Sequence, residues 1–305
     1  MSEQLRIVHA HGDRITVTEP VTGVELLSYV YRAEADWEAP KPYIHPLRTL
    51  AGDVVTDYRP NDHRWHKGLS LTASHLSGAN LWGGNSYVHG EGYLAIPERV
   101  GSMRHVAFDE VTADDAGRVV IAERLTWHPY DGELWAEETR RVEVHDVDLD
   151  SRSWALTWTS AITNRRTEPL LFGSPTTAGR DMAGYTGLFW RGPRAFRDGR
   201  IIGPDGEGPE LMGTQGEWLA LSGEHDGADG FATVVFAHAP ENAGGHPAHW
   251  FVRNEPFAAI APSWAFFEEL ALPPGETLTR RYRVVVADGA WGRADIAKYL
   301  EGRPW

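Results

Sequence analysis

The chain of 305 residues contains no cysteine. That absence removes disulfides, thiolate metal sites, iron–sulfur clusters and a cysteine nucleophile. No stretch approaches the roughly eighteen uninterrupted apolar residues of a membrane-crossing helix. The segment Met1 to Ala10 lacks the basic start, apolar core and small-residue cleavage site of a secretory signal, so a cytoplasmic protein with no membrane partner is expected. No block rich in Lys and Arg relieves the formal net charge of −14, which repels a polyphosphate backbone, and nucleic acid is not an expected partner. Missing too are a G-x-G-x-x-G turn after a strand, a Walker loop, a G-x-S-x-G elbow and an H-E-x-x-H pair, which disfavours nucleotide enzymes, α/β-hydrolases and zincins. No fixed-period repeat, low-complexity segment or compositional linker divides residues 1–305, and one domain is expected.

What is present points to strands. With 42% hydrophobic residues the chain can bury a large core, and 32 Gly, 19 Pro and 13 Trp favour short strands joined by tight turns. Trp154, Leu156, Trp158, Ser160 and Ile162 alternate with Ala155, Thr157, Thr159 and Ala161, a period of two that a helix would scatter. Similar runs cover Glu25 to Arg32, Val119 to Trp127, Leu134 to Val144, Ala232 to His238, Phe257 to Leu272 and Thr277 to Ala287. Turn formers separate them, at Ala113 to Gly117, Tyr130 to Gly132, Asp148 to Asp150 and Pro273 to Gly275, the last expected to close a hairpin. Only Ala294 to Leu300 reads as a helix, packed at a sheet edge. The fold class is therefore all-β, a large antiparallel sandwich or barrel, with one short C-terminal helix.

Chemistry concentrates between His45 and Glu91. His45 and Arg48 are followed by Asp57, Arg59, Asp62, His63 and His66, which offer an acid, a base and charged clamps within a short span. Two histidines three apart share a side only in a helix or tight turn, and Pro60 to Asp62 argues for a turn. His89 and Glu91 fall on one side if their Gly-rich segment is extended, as an acid/base pair, or else form a solvated turn. Arg180, Trp190 and Arg191 could bind a hydroxylated ring, since apolar C–H faces stack on aromatics while hydroxyls take charged hydrogen bonds. Glu268 and Glu269 lie on opposite faces if their segment is a strand, and an inward Glu268 would be a base.

The strings HPLRT (His45 to Thr49), VTDYRPNDHRWHKGL (Val55 to Leu69), LWG (Leu81 to Gly83), AGYTGLFWRGPRAF (Ala183 to Phe196) and HWFVRNEPFAAIAPSWAFFEEL (His249 to Leu270) resemble the bacterial PmoA-like family, over most of the chain. The methane oxygenase that lends that label is a multi-span membrane protein, so methane oxidation is not carried over. The resemblance implies carbohydrate metabolism. The ending from Phe267 to Val284 and the stretch from Leu156 to Leu171 are similar to galactose-mutarotase-like supersandwich proteins, which implies that architecture. The mutarotase histidine is not matched, since Phe172 to Ser174 stands in its place, and that catalytic set is not transferred.

Three readings follow. In the first, a small carbohydrate ligand undergoes epimerase, isomerase or lyase chemistry, with His63 or His66 as acid or base oriented by Asp62 or Asp57, Glu268 as a further catalytic candidate, and His45, Arg48, Asp57, Arg59, His89, Glu91, Arg180, Trp190 and Arg191 as substrate contacts. In the second, the same residues bind a sugar without turnover. No cofactor is expected in either. The third is an oxygenase or hydrolase holding a divalent metal on His63, His66 and Asp62 with His45 or His89.

Overall fold

The computed structural model describes residues 4–32, 35–243 and 248–305. Two eight-stranded antiparallel sheets stack face to face. The first runs in the order Arg6–Ala10, Arg14–Thr18, Glu25–Val30, Tyr43–Leu47, Leu69–Thr72, Gly187–Arg191, Ala259–Ser263, His249–Arg253. The second runs Arg200–Ile202, Trp218–Glu224, Phe231–His238, Thr277–Asp288, Ser153–Asn164, Ala136–Asp148, Val119–His128, Ser102–Ala113. The fold is thus the large antiparallel β-sandwich expected, with one C-terminal helix, Arg293–Glu301. Among the described residues no helix is long and apolar enough to cross a membrane.

Period two does in the second sheet what the alternation predicts. Trp154, Leu156, Trp158 and Ile162 point into the core between the sheets, while Ala155 faces outward beneath Ile296 and Tyr299 of the helix. The helix therefore covers the outer face of the second sheet rather than an edge, because small Ala155, Ala220 and Ala237 leave room for it there. The core is crossed by one polar network. Glu138 accepts from Trp127 Nε1 at 2.9 Å, Arg140 Nε at 2.8 Å and Ser160 Oγ at 2.7 Å, and Arg140 Nη1 reaches Tyr29 of the first sheet at 3.1 Å. Each buried polar group in it is satisfied, which fixes one sheet against the other.

Two expected elements come out differently. The run from Phe257 to Leu272 is two strands, Ala259–Ser263 and Leu270–Leu272, parted by a turn from Trp264 to Phe267. Pro273 to Gly275 does not close a hairpin. Leu270–Leu272 belongs to a separate three-stranded sheet with Leu170–Gly173 and His75–Leu76, and Thr277–Asp288 pairs with Ser153–Asn164.

The first sheet is unusual in being buried on both faces at its centre. Gly187–Arg191 and Ala259–Ser263 are buried at every position. In an antiparallel sheet this means a second layer covers the outer face. That layer is an aromatic cluster of Trp82, Phe189, Phe251, Phe257 and Phe266, with Trp65 and Tyr185 packed against it.

Candidate functional site

Pro60 to His66 forms two consecutive turns, in which the His63 amide donates to the Pro60 carbonyl and the His66 amide to the His63 carbonyl, each at 2.9 Å. The turns bring the two imidazoles onto one side, ring centres 4.7 Å apart and planes at 27°. The loop is fastened from below. Arg59, at a positive φ of 48°, donates its amide to the His66 carbonyl at 2.9 Å and its guanidinium to Glu38 at 2.7 Å. Fully buried Lys67 places Nζ 3.1 Å from the other Glu38 oxygen. Burial pushes the Glu38 carboxyl up, but Arg59 and Lys67 outweigh it and hold the group below its ordinary range.

His66 is only 4% exposed. Arg191 Nη1 lies 3.1 Å from its Nδ1. A guanidinium has no lone pair to offer, so Nδ1 must be the acceptor and Nε2 carries the hydrogen. Burial, then His63 and Arg191, hold the His66 pKa well below 6.5. His66 is therefore a neutral donor and not a base. Arg191, 2% exposed, is set in turn by Asp57, whose carboxylate is 3.8 Å away, and by the Phe257 ring 3.7 Å beneath its guanidinium. Burial lowers the Arg191 pKa to about 10, against the opposing pull of Asp57 and Asp62.

His63 differs in being half exposed. Asp62 Oδ2 sits 3.1 Å from its Nδ1, close enough for charge to act but off the direction of a hydrogen bond. Burial lowers the His63 pKa, Asp62 opposes it, and Arg191 and Arg253 add to the lowering, leaving it below 6.5. At neutral pH it is an unprotonated imidazole beside a carboxylate.

Both histidines open into a cavity of about 340 Å³ on the outer face of the first sheet, a volume within the range of small-molecule sites. Its walls are Trp65, Trp82, Tyr185, Phe189, Phe251 and Phe257, and its polar groups are Asp62, His63, His66, Asn85, Tyr93, Arg180 and Arg253. Trp82 stands at 88° to the His66 ring with centres 5.4 Å apart. Buried Asn80 shapes the loop that presents it, accepting from the Trp82 and Gly83 amides at 2.9 Å each. Gly84, at a φ of +64°, lies against Trp65, where a Cβ would fall 2.4 Å from the indole.

Of the residues expected at the site, Asp62, His63, His66 and Arg180 line the cavity, and Asp57 and Arg191 stand directly behind it. The others are elsewhere. Trp190 is fully buried between the sheets, its Nε1 bonded to the Val55 carbonyl at 2.8 Å, so it stacks on no ligand here. Arg59 is committed to Glu38. Arg48 bonds the Gly52 carbonyl at 3.0 Å, away from the cavity. His45 bonds Thr56 at 2.9 Å and stacks on Tyr58 at 5.0 Å. His89 and Glu91 sit in the exposed turn of the Ser86–Val88 and Gly92–Leu94 hairpin, not on one side of a strand. Glu268 is exposed beyond the turn that breaks its strand. Among the described residues no group of three or more His, Asp or Glu side chains is placed to hold a metal ion, so the metal reading finds no ligand set here.

The sequence reading misses Trp65, Trp82, Tyr93, Tyr185, Arg253 and Asn85. A signal for Arg253 exists. Phe189 and Arg191 recur as a Phe-x-Arg pattern in Phe251 and Arg253, and in both strands the period of two sends Phe and Arg to the outer face.

Fold and site together define a large antiparallel sandwich with an aromatic, arginine-bearing cavity outside one sheet. Residues 16–301 match the family of unknown function DUF6807. The chain belongs to that family. No curated protein matches it in sequence. Among solved structures it is similar to an α-galactosidase from Lactobacillus brevis at 10% identity and a TM-score of 0.44, over 95% of this chain and 41% of that one. It is also similar to a putative aldose 1-epimerase from Klebsiella pneumoniae subsp. pneumoniae at 9% identity and a TM-score of 0.40, over 97% and 82% of the two chains. A galactose mutarotase related enzyme from Lactobacillus acidophilus has 9% identity and a TM-score of 0.34, over 94% and 98%. The chain spans about four tenths of the length of the α-galactosidase.

Proposed function

We propose that this protein moves a proton on a sugar or sugar derivative, with His63 as the base. The observation that carries the reading is the asymmetry of the stacked pair. His66 has its Nδ1 lone pair taken by Arg191, whereas His63 is neutral, accessible and adjacent to Asp62. With Nδ1–H toward Asp62, His63 Nε2 takes a proton from a carbon next to a carbonyl, and Asp62 stabilises the imidazolium that forms. The electron pair moves to the carbonyl oxygen, which accepts a hydrogen bond from His66 Nε2–H; a neutral imidazole in this role avoids transferring a full proton. Return of that proton to the former carbonyl carbon, as the hydroxyl proton of the first carbon passes to the carbonyl oxygen, gives an isomer; transfer of it from the His63 imidazolium to a departing β-oxygen gives an elimination product and water. Both need one base, which favours isomerase or lyase chemistry over epimerisation. Trp65 and Trp82 offer apolar faces to the C–H side of a ring, and Arg180 and Arg253 offer donors to its oxygens. The PmoA-like resemblance supports carbohydrate metabolism as the setting.

The test is incubation of the protein with a panel of aldoses, ketoses and uronates in D2O, followed by proton NMR. Loss of one C–H signal with formation of product supports the reading, provided that the His63→Ala/His66→Ala double variant remains folded and abolishes it. A double variant as active as the parent overturns the assignment. Binding with no exchange over long incubation transfers the site to a non-catalytic sugar-binding module.

A further inference from the structure

Arginine is present at this cavity in excess of what its acids need. Across three neighbouring strands of the first sheet Arg191, Ala259 and Arg253 lie side by side, with Ala259 paired to both arginines. Arg191 has work there, on His66 and Asp57. Arg253 has none: among the described residues no carboxylate and no hydrogen-bond acceptor meets it, and its guanidinium contacts only the faces of Phe251 and Phe257, at 5.1 and 5.9 Å. Arg180 lies over the Tyr93 ring at 4.8 Å and donates to the Tyr93 hydroxyl, again with no acid. Among the described residues Asp62 is the only carboxylate that lines the cavity, and it lies against His63.

An arginine held against aromatic walls and left without an anion is costly, because partial burial takes away water and nothing replaces it. Arg253 is in that state, and Arg180, bonded to a neutral phenol and to no acid, opens into the same cavity. Phe251 and Phe257 shield the space around them, so a charge-assisted bond formed there is worth more than one on the open surface.

We infer that the cavity binds an anionic sugar, its carboxylate or phosphate held by Arg253 and Arg180 while the ring lies against the tryptophans near His63. This rests on the carbohydrate reading above and specifies its substrate class. Burial lowers the Arg253 pKa, with Arg180 as a further cause, and an anion between them would relieve both.

The experiment is equilibrium titration of the full chain at fixed ionic strength, followed by the intrinsic tryptophan fluorescence, to which Trp65 and Trp82 contribute. The probes are glucuronate and galacturonate, glucose 6-phosphate, the neutral sugars glucose and galactose, and the non-sugar carboxylate hexanoate. Acid sugars or the sugar phosphate are expected to bind at least about tenfold more tightly than the neutral sugars, with an affinity that falls as salt rises. Whichever of the two binds more tightly identifies the anion. Arg253→Met, close in length but uncharged, should bring the affinity for the acid sugars down toward that for the neutral ones and abolish its dependence on salt, and Arg180→Met serves as a second variant if the first does not fold. Equal binding of neutral and acid sugars overturns this inference and leaves the carbohydrate reading standing. Hexanoate binding as tightly as the uronates overturns the carbohydrate reading and leaves an anion site. No binding by any probe overturns both.

Discussion

Arg191 Nη1 and His66 Nδ1 lie 3.1 Å apart inside the protein, and the arginine fixes which imidazole nitrogen bears the hydrogen. Nitrogen-15 NMR of the histidines should show His66 as the neutral tautomer protonated at Nε2 from neutral pH down to pH values well below 6.5. Arg191→Leu should free Nδ1, raise the His66 pKa by removing a nearby cation, and cost about 2 kcal/mol of stability. A wild-type His66 protonated at Nδ1 would contradict the assignment.

Glu38 is expected to be a structural anchor for the histidine loop. Glu38→Gln leaves fully buried Lys67 facing an uncharged group and releases Arg59. The cost should be about 3–5 kcal/mol in a denaturant titration. An exposed, unburdened carboxylate would instead change stability by less than about 0.5 kcal/mol.

Gly84→Ala tests whether Trp65 is a wall of the site. The new methyl would lie 2.4 Å from the indole at a backbone φ of +64°, so the ring must move. Destabilisation of about 1–3 kcal/mol is expected, together with a changed tryptophan emission spectrum and loss of sugar affinity. Unchanged affinity would remove Trp65 from the binding surface.

Acid should weaken the fold through His45. Burial lowers its pKa to about 4, with Asp57 opposing, from an unfolded value of 6.5. Between those values the unfolded chain holds the proton more tightly, so the contribution is complete above pH 6.5 and is lost as pH falls toward 4. Its size is on the order of 2 kcal/mol once partial solvent contact is allowed for. The melting temperature of His45→Asn should therefore fall less than that of the parent over the same window, and parallel curves would show that His45 does not contribute.

Much of this architecture is legible in the sequence, for reasons particular to each element. The strand Ser153–Asn164 has one bulky and one small face, so its alternation reads directly. The turn at Pro60 to His66 is legible because proline, asparagine and the three-residue spacing agree. Trp190 is misread because Gly187–Arg191 is buried on both faces, and an unbroken apolar run gives no sign of which parity faces the core. Glu268 is misread because the break at Trp264 to Phe267 lies inside an apolar run that carries no Gly or Pro after Pro262. Glu38 acts through contacts distant in sequence, on Arg59 and Lys67, which no local pattern announces.

The division of labour between the two stacked histidines is the central claim, and separate substitutions test it most directly. For whichever sugar exchanges a C–H proton in D2O, His63→Gln should slow the exchange by about 10²–10⁴-fold with little change in affinity, and the rate should fall as pH drops below the His63 pKa. His66→Gln, which keeps a donor, should retain a much larger share of the rate. Exchange that survives in His63→Gln and is lost in His66→Gln would contradict the account.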